Sequence, residues 1–215
     1  MTNKNYPAGS VFPGGTAFGD KCTFGDGCKF GPFCTFGSSI TFGKNCIFGI
    51  TCTFGHACDF GDACTFDSHC TLGSYCTFSV YCQFSSSCKV GDYCKFRNCC
   101  TFGDYCKAGL GCTFGTACGF GGHSAIGDYC KFDGSCGLGA YCQVGYACVF
   151  GINCSFNAKC AFGRDCEFGT ANIFGNACSF NDANFSRDTT FGEKCGFAGD
   201  CFGLVELGVK PWSAA

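Results

Sequence analysis

Residues 46 to 66 read CIFGITCTFGHACDFGDACTF, in which Cys, Phe and Gly recur with a six-residue period. Each Cys in this segment precedes a Phe by two positions, and Gly follows most of those Phe residues. The same frame runs from Ser10 to Cys201 and holds 26 of the 27 cysteines. Self-similarity at a short fixed period is the signature of a solenoid, so the repeat predicts the architecture before any local propensity does.

Each hexad is predicted to form one short strand. In an extended segment, residues two apart point to the same side, so Cys and Phe share one face and the residue between them points outward. Gly, or less often Asp, Asn or Ser, follows Phe; these residues tolerate turns, and Gly, Asp and Asn tolerate positive φ. We therefore expect an inward Cys and Phe followed by a turn. The Cys place is taken by other residues at Ile40, Ser124, Asn172 and Asn184.

A longer period within the hexads sets the size of one coil. Residues that replace Phe recur 18 apart, at Leu72, Val90, Ala108, Ile126 and Val144, and only Leu138 breaks this set. An unbroken Gly column has the same spacing, from Gly19 to Gly163. These columns predict three hexads per coil. A two-sided coil of two hexads remains an alternative, because several tyrosines and several substituted Cys places share a 12-residue phase.

The pattern Phe-Gly-x-x-Cys-x resembles the hexapeptide repeat of left-handed parallel β-helix proteins, which has an aliphatic residue, Gly or an acidic residue, two free positions, a small residue and a free position. The likeness covers about nine-tenths of the chain and departs from the family in using Phe. It implies an all-β, left-handed, triangular parallel β-helix (solenoid) with an 18-residue coil and about 11 coils. The left hand rests on the resemblance alone. We expect an N-terminal arm at 1–9, the β-helix at 10–201 and a C-terminal cap or tail at 202–215.

The frame slips once, because Phe180 and Phe191 are eleven positions apart, and a bulge or small protrusion is expected at 181–188. The apolar segment 204–212 is expected to cap the last coil or to dock on a neighbour. Nothing comparable precedes the first coil, so open strand edges that invite pairing with another chain are expected there.

Charge and composition exclude several classes of function. The net charge is −2, with 14 basic and 16 acidic residues, so no basic stripe for nucleic acid is expected. No run approaches the ~20 apolar residues of a membrane span, and the first residues lack the apolar core of a signal peptide. Cytoplasmic synthesis follows, with the final location unknown and a virion or extracellular setting left open. Cys at regular spacing is interpreted as a small core residue, and disulfide bonding is left open.

The resemblance also implies that enzymes must be considered, since such β-helices include acyltransferases and zinc-containing relatives of carbonic anhydrase. Those would require a catalytic His or three His ligands, and loops that form a pocket. This chain has only His56, His69 and His123, and the last two are nine hexads apart. No long insertion interrupts the hexads. We therefore predict no catalytic residue, no metal and no cofactor, and an acyltransferase-like hexapeptide enzyme is the second alternative.

Outward aromatic residues are the candidate interaction surface, for protein partners or glycans. The simpler interpretation is stacking of these rings on a solvated face. The candidates are Tyr75, Tyr81, Tyr93, Tyr105, Tyr129 and Tyr141, each directly before a Cys, together with Trp212. Cys99 lies outside the frame and is predicted to be a surface thiol, either a cross-link between molecules or merely tolerated.

Outward Thr residues suggest ice binding, because some insect antifreeze proteins are similar in fold and carry Thr-x-Thr arrays. Here the pair occurs only at Thr51 and Thr53, and its column ends at Lys89. The sequence therefore favours a non-catalytic structural or interaction protein, a rigid β-solenoid. It would self-assemble, or dock with other structural subunits, in a filament, virion appendage or surface particle. Ice binding is the first alternative.

Overall fold

The computed structural model describes residues 2–203, and within them the chain is all-β with no helix. Nearly every strand is two residues long. In chain order, β1 to β33 are Asn5–Tyr6, Val11–Phe12, Ala17–Phe18, Thr23–Phe24, Lys29–Phe30, Thr35–Phe36, Thr41–Phe42, Ile47–Phe48, Thr53–Phe54, Asp59–Phe60, Thr65–Phe66, Thr71–Leu72, Thr77–Phe78, Gln83–Phe84, Lys89–Val90, Lys95–Phe96, Thr101–Phe102, Lys107–Ala108, Thr113–Phe114, Gly119–Phe120, Ala125–Ile126, Lys131–Phe132, Gly137–Leu138, Gln143–Val144, Val149–Phe150, Ser155–Phe156, Ala161–Phe162, Glu167–Phe168, Ile173–Phe174, Ser179–Asn181, Asn184–Phe185, Thr190–Phe191 and Gly196–Ala198.

These strands form three parallel sheets of 11 strands each. Sheet A contains β1 and every third strand to β31, sheet B runs from β2 to β32, and sheet C from β3 to β33. Thr23 lies opposite Thr41 and Phe24 opposite Phe42, so residues at the 18-residue spacing are neighbours. The predicted coil of three hexads is confirmed, and the 12-residue alternative is wrong. The arrangement is a β-solenoid of about 11 coils, consistent with a triangular β-helix.

The interior is a column of aromatic rings and thiols. Rings one coil apart stack, as Phe24 and Phe42 do at 5.1 Å and 7°. Rings on neighbouring sheets meet edge to face, as Phe24 and Phe30 do at 5.0 Å and 87°. Both arrangements are those that ring quadrupoles favour. The five replacements of Phe that recur 18 apart, from Leu72 to Val144, all lie on sheet C, whereas Leu138 lies on sheet B.

The turns differ from the prediction. Positive φ falls on the residue before Cys, such as Lys21 (58°) and Thr51 (59°). The Gly that follows the Phe place, such as Gly127 after Ile126, lies outside the left-handed region. The left-handed residue aims its N–H along the solenoid, so that Lys21 donates to the Ser38 carbonyl in the next coil at 3.0 Å. Gly127 is needed for a different reason. A Cβ there would lie 2.7 Å from the Gly109 carbonyl carbon and oxygen.

The frame slip is absorbed in a shortened turn, so the predicted bulge is wrong. Glu167 lies opposite Asn184, one position short of a full coil, after a turn in which Asp182 has a φ of 45°. With one residue fewer between strands, Ala183 takes the buried Cys place, and Asn184 points outward and is exposed. The assignment of Asn184 to the Cys place is therefore wrong. Thr189, 5% exposed, fills the next Cys place.

At the ends, β1 pairs with β4, so the predicted arm at 1–9 contains the first strand of sheet A. Phe202 forms an isolated bridge with Asn184 near the other end. The rest of the predicted tail, including Trp212 and the apolar segment 204–212, lies outside the described residues.

Candidate interaction surface

The thiols form hydrogen bonds that the sequence pattern did not indicate. Cys64 Sγ donates to the Gly43 carbonyl at 3.3 Å, and most in-frame cysteines donate to the equivalent carbonyl of the preceding coil. Where Cys is replaced, Ser124 Oγ donates to the Gly103 carbonyl at 3.5 Å. At most positions the Cys place therefore holds a small side chain that donates a hydrogen bond, and the buried Ile40 and Ala183 are exceptions. The polar residues Ser124 and Asn172 at Cys places were the sequence signal for this hydrogen bond. Asn172 Nδ2 also donates to the Gly151 carbonyl, at 3.2 Å.

The buried thiols differ in pKa: hydrogen bonds from Cys100 and Cys64 lower the pKa of Cys82 to about 4, whereas other thiols are held in the protonated form. Burial raises the pKa of the Cys28 and Cys34 thiols above the ordinary value. The pKa of Cys64 is also raised, first because its proton is shared with the Cys46 and Cys82 sulfurs. A protonated, enclosed thiol is a poor nucleophile and a poor metal ligand. Among residues 2–203, no group of three or more His, Cys, Asp or Glu side chains is arranged to hold a metal ion.

The structure divides the predicted tyrosine surface among the three corners of the solenoid. We name each corner by the sheets that it joins. Each of these tyrosines is at least 45% exposed. Corner CA carries Tyr75, Tyr93 and Tyr129, corner BC carries Tyr105 and Tyr141, and corner AB carries Tyr81. The six residues therefore form separate groups along the rod and do not form one cluster.

On corner BC, aromatic rings stack in consecutive coils. His123 lies between Tyr105, at 5.0 Å and 10°, and Tyr141, at 4.9 Å and 4°. Lys159 continues the column, with Nζ 4.9 Å from the Tyr141 ring centroid and 2.9 Å from its hydroxyl. We call these four residues the BC ladder. Because its rings cover one another's faces, the ladder presents ring edges, hydroxyls, an imidazole and an ammonium group to a partner.

Corner CA has a shorter stack and one crossed pair. Tyr75 and Tyr93 stack at 5.4 Å and 14°. The Tyr93 ring also covers Gly111, where a Cβ would lie 2.7 Å from ring atoms. Tyr129 meets Tyr146 edge to face at 4.9 Å. The interpretation as stacked surface rings therefore has direct geometric support.

Sequence reasoning missed an apolar group near the N-terminal end. Phe33 is 58% exposed at corner BC, and its N–H donates to the Ile50 carbonyl at 3.0 Å. Ile50 is 40% exposed, and Ile47 and Val11 on sheet B are 45% and 72% exposed. Phe33 precedes Cys34 directly, as each of the six predicted tyrosines precedes a Cys. That position was the signal that Phe33 points outward.

Cys99 lies on corner AB, one coil beyond Tyr81, and is half-buried. Cys195 and Cys201, near the C-terminal end of the described chain, are also half-buried, so Cys99 shares its partial exposure with them. The cross-link stays a prediction.

The histidines lie where their spacing predicted. His69 and His123 are on corner BC, three coils apart, and His56 is on corner CA, where its Nδ1 accepts a hydrogen bond from the Ser74 N–H at 3.0 Å. The structure therefore brings no two of them together.

The threonines form interrupted rows. Thr35, Thr53 and Thr71 are neighbours on sheet C, and Lys89 follows them. Thr51 belongs to a turn with φ of 59°, so Thr51 and Thr53 do not form a pair on one strand.

A shallow open recess crosses sheet B where Gly119 and Gly137 lack side chains. Thr101, Ser155 and Asn157 supply its polar side chains, and its lining contains no His, Cys, Asp, Glu, Lys or Arg. The recess therefore offers no group for acid–base or nucleophilic chemistry near neutral pH.

No family model and no curated protein matches this chain. The part of the chain that the structure describes contains no helix that is long and apolar enough to cross a bilayer. Its class is therefore defined by architecture, as a parallel β-solenoid of about 11 coils.

Proposed function

We propose that this protein is a non-catalytic structural or interaction protein, a rigid rod that associates through its sides with copies of itself or with other structural subunits. The observation that carries the proposal is the placement of the exposed rings. Phe and Cys fill the interior, and seven exposed tyrosines lie along the corners, from Tyr75 to Tyr146. A filament, a virion appendage and a surface particle all suit such a rod.

Stiffness supports the structural role. Hydrogen bonds link each coil to the next along all three sheets, and stacked rings continue the same repeat inside. Burying a Phe side chain is worth ~1.5 to 3 kcal/mol, and this gain recurs in every coil. A rod of this kind holds side chains at fixed spacing, which favours contacts with a repetitive partner. The proposal includes a left-handed coil, which rests on the resemblance to left-handed hexapeptide-repeat proteins.

The edges of the BC ladder suit a protein partner better than a glycan. Aromatic binding of sugars uses open ring faces, whereas His123 is covered on both faces and Tyr141 contacts both His123 and Lys159. Tyr and His edges with a nearby cation suit hydrogen bonds to side chains or backbone carbonyls. Tyr is also among the residues enriched at protein interfaces.

The test is the mass of the protein in solution across a range of concentrations, by analytical ultracentrifugation, with electron microscopy of the same samples. We expect reversible association side by side. The variant Y105S/Y141S should weaken association at least tenfold. The matched control T101S/G137S, in the recess of sheet B, should not. A monomer at every concentration would overturn the proposal.

Ice binding is the second candidate, and the stacked Thr35, Thr53 and Thr71 favour it. The row is short, since Lys89 follows Thr71. Thermal hysteresis and ice-crystal shaping by a monomer would support ice binding, and T53K should abolish them. Absence of both effects would remove this candidate.

A further inference from the structure

The stacking of coils depends on a fixed set of backbone donors. In the second coil, six N–H groups donate to carbonyls of the first coil. They belong to Thr23, Gly25, Lys29, Gly31, Thr35 and Gly37. The same positions in the first coil would donate to any chain placed against the N-terminal end. They are Asn5, Pro7, Val11, Pro13, Ala17 and Gly19.

Two of these six donors are missing, because proline has no backbone N–H. The positions of Pro7 and Pro13 recur in every later coil, and in each described coil the residue there donates. It does so even where it is not Gly, since the Arg97 N–H reaches the Phe78 carbonyl at 3.0 Å and the Asp67 N–H reaches the Phe48 carbonyl at 2.9 Å. The first coil is therefore the exception.

Space is also restricted at the equivalents in the second coil, Gly25 and Gly31. A Cβ on Gly25, the equivalent of Pro7 one coil later, would lie 2.5 Å from the Ala8 nitrogen of the coil below. The proline ring adds a Cδ in place of the hydrogen that would point at the incoming carbonyl. Pro7 and Pro13 therefore suit an edge with no neighbour, which is where proline is found in sheets.

We infer that the first coil is a blocked end, at which Pro7 and Pro13 prevent the last coil of a second copy from continuing the solenoid. The expectation of an N-terminal edge that invites pairing is thereby replaced. Copies of this chain do not add head to tail at this end, and association proceeds through other surfaces. This inference rests on Pro7 and Pro13 and not on the proposed function. The two are tested separately, because lateral and end-to-end assemblies differ in length and width.

The test restores the donors. In P7G/P13G the first coil offers six N–H groups, and we expect end-to-end filaments one rod wide by electron microscopy, with at least a tenfold increase in mean mass by light scattering. The matched control is P32G. Pro32 lies in a turn, and its carbonyl accepts a hydrogen bond from the Gly15 N–H at 2.8 Å. The equivalent residue in the preceding coil is Gly14, which has no side chain that could accept a hydrogen bond from an N–H restored at position 32. P32G should keep the wild-type length.

P7A/P13A separates the two effects, because it restores the N–H but keeps a Cβ; filaments shorter than those of the Gly variant are expected. It also serves as the test if the Gly variant fails to fold, as judged by circular dichroism. Folded variants that keep the wild-type length would overturn the inference. Wild-type filaments with N-terminal ends buried in end-to-end junctions would overturn it equally.

Discussion

The Cys64 thiol donates a hydrogen bond to the Gly43 carbonyl, 3.3 Å away in the preceding coil. The carbonyl belongs to a turn residue, and the thiol comes from the next coil along the same corner. Since Cys64 is 0% exposed, water cannot replace the thiol as donor. The dense use of Cys thus has a physical cause, a residue that is small enough for the corner and still donates.

Substitutions at Cys64 distinguish two roles of the thiol, as a hydrogen-bond donor and as a compact apolar group. C64A removes the donor and some volume, and we expect it to lower the free energy of unfolding by about 1 to 3 kcal/mol. C64S keeps a donor, as Ser124 does at its own position, and should cost less. Denaturant midpoints under reducing conditions give the order. If C64A is the more stable of the two, the thiol acts only as an apolar group.

Close approach of coils makes some glycines irreplaceable. G127A places a Cβ 2.7 Å from the Gly109 carbonyl, and backbone cannot move aside as a side chain can, so a loss of about 2 kcal/mol or more is expected. The control is G119A, where the nearest atom would be the Gly137 oxygen at 3.9 Å. It should change stability by less than about 1 kcal/mol. Equal midpoints for the two variants would refute the steric argument.

Left-handed turn residues offer a stabilising change. Thr51 is β-branched and has φ of 59°, a conformation that such residues rarely adopt. T51G removes that strain and should raise the free energy of unfolding by about 1 kcal/mol. T53G, on the neighbouring strand β9, should lower it, because glycine weakens a strand. Thermal melts compare the two, and a destabilised T51G would show that the Thr51 side chain contributes more than its strain costs.

Alkaline pH should remove the stability that the Cys28 and Cys34 thiols contribute. The pKa values of the Cys28 and Cys34 thiols are raised above 9.0, so at rising pH the unfolded chain loses these protons first. The unfolded state then binds fewer protons than the native state, and stability falls as pH rises. The contribution is fully present below pH 9 and is lost above it. Urea midpoints from pH 7 to 10.5 should decline, and C28S/C34S should decline less. A flat wild-type profile would show that these thiols already titrate normally.

Periodicity made much of the fold predictable. Inward Cys and Phe follow from alternation along a strand, and the replacements at Leu72 and Val90 reveal the 18-residue coil because core residues contact their equivalents. The same spacing, applied to Tyr105, His123 and Tyr141, would have indicated the BC ladder. Tyr81 would then have been placed on a different corner.

Other features had no comparable signal. The left-handed position accepts Lys21, Thr51 and Tyr75 alike, so composition does not mark it. The slip could have been assigned to any turn between Phe180 and Phe191, and only packing selects Ala183 as the buried residue. The surface is the least predictable part of the fold, because core packing does not determine which residues point outward in a solenoid, whereas contacts with a partner can.

Thiol counting tests the central claim, that sulfur and rings point inward and leave only the exterior to act. A thiol reagent applied to fully reduced native protein should modify Cys99, Cys195 and Cys201, which are half-buried, and should reach all 27 cysteines of the chain only after denaturation. Rapid modification of most cysteines in the native state would contradict the account.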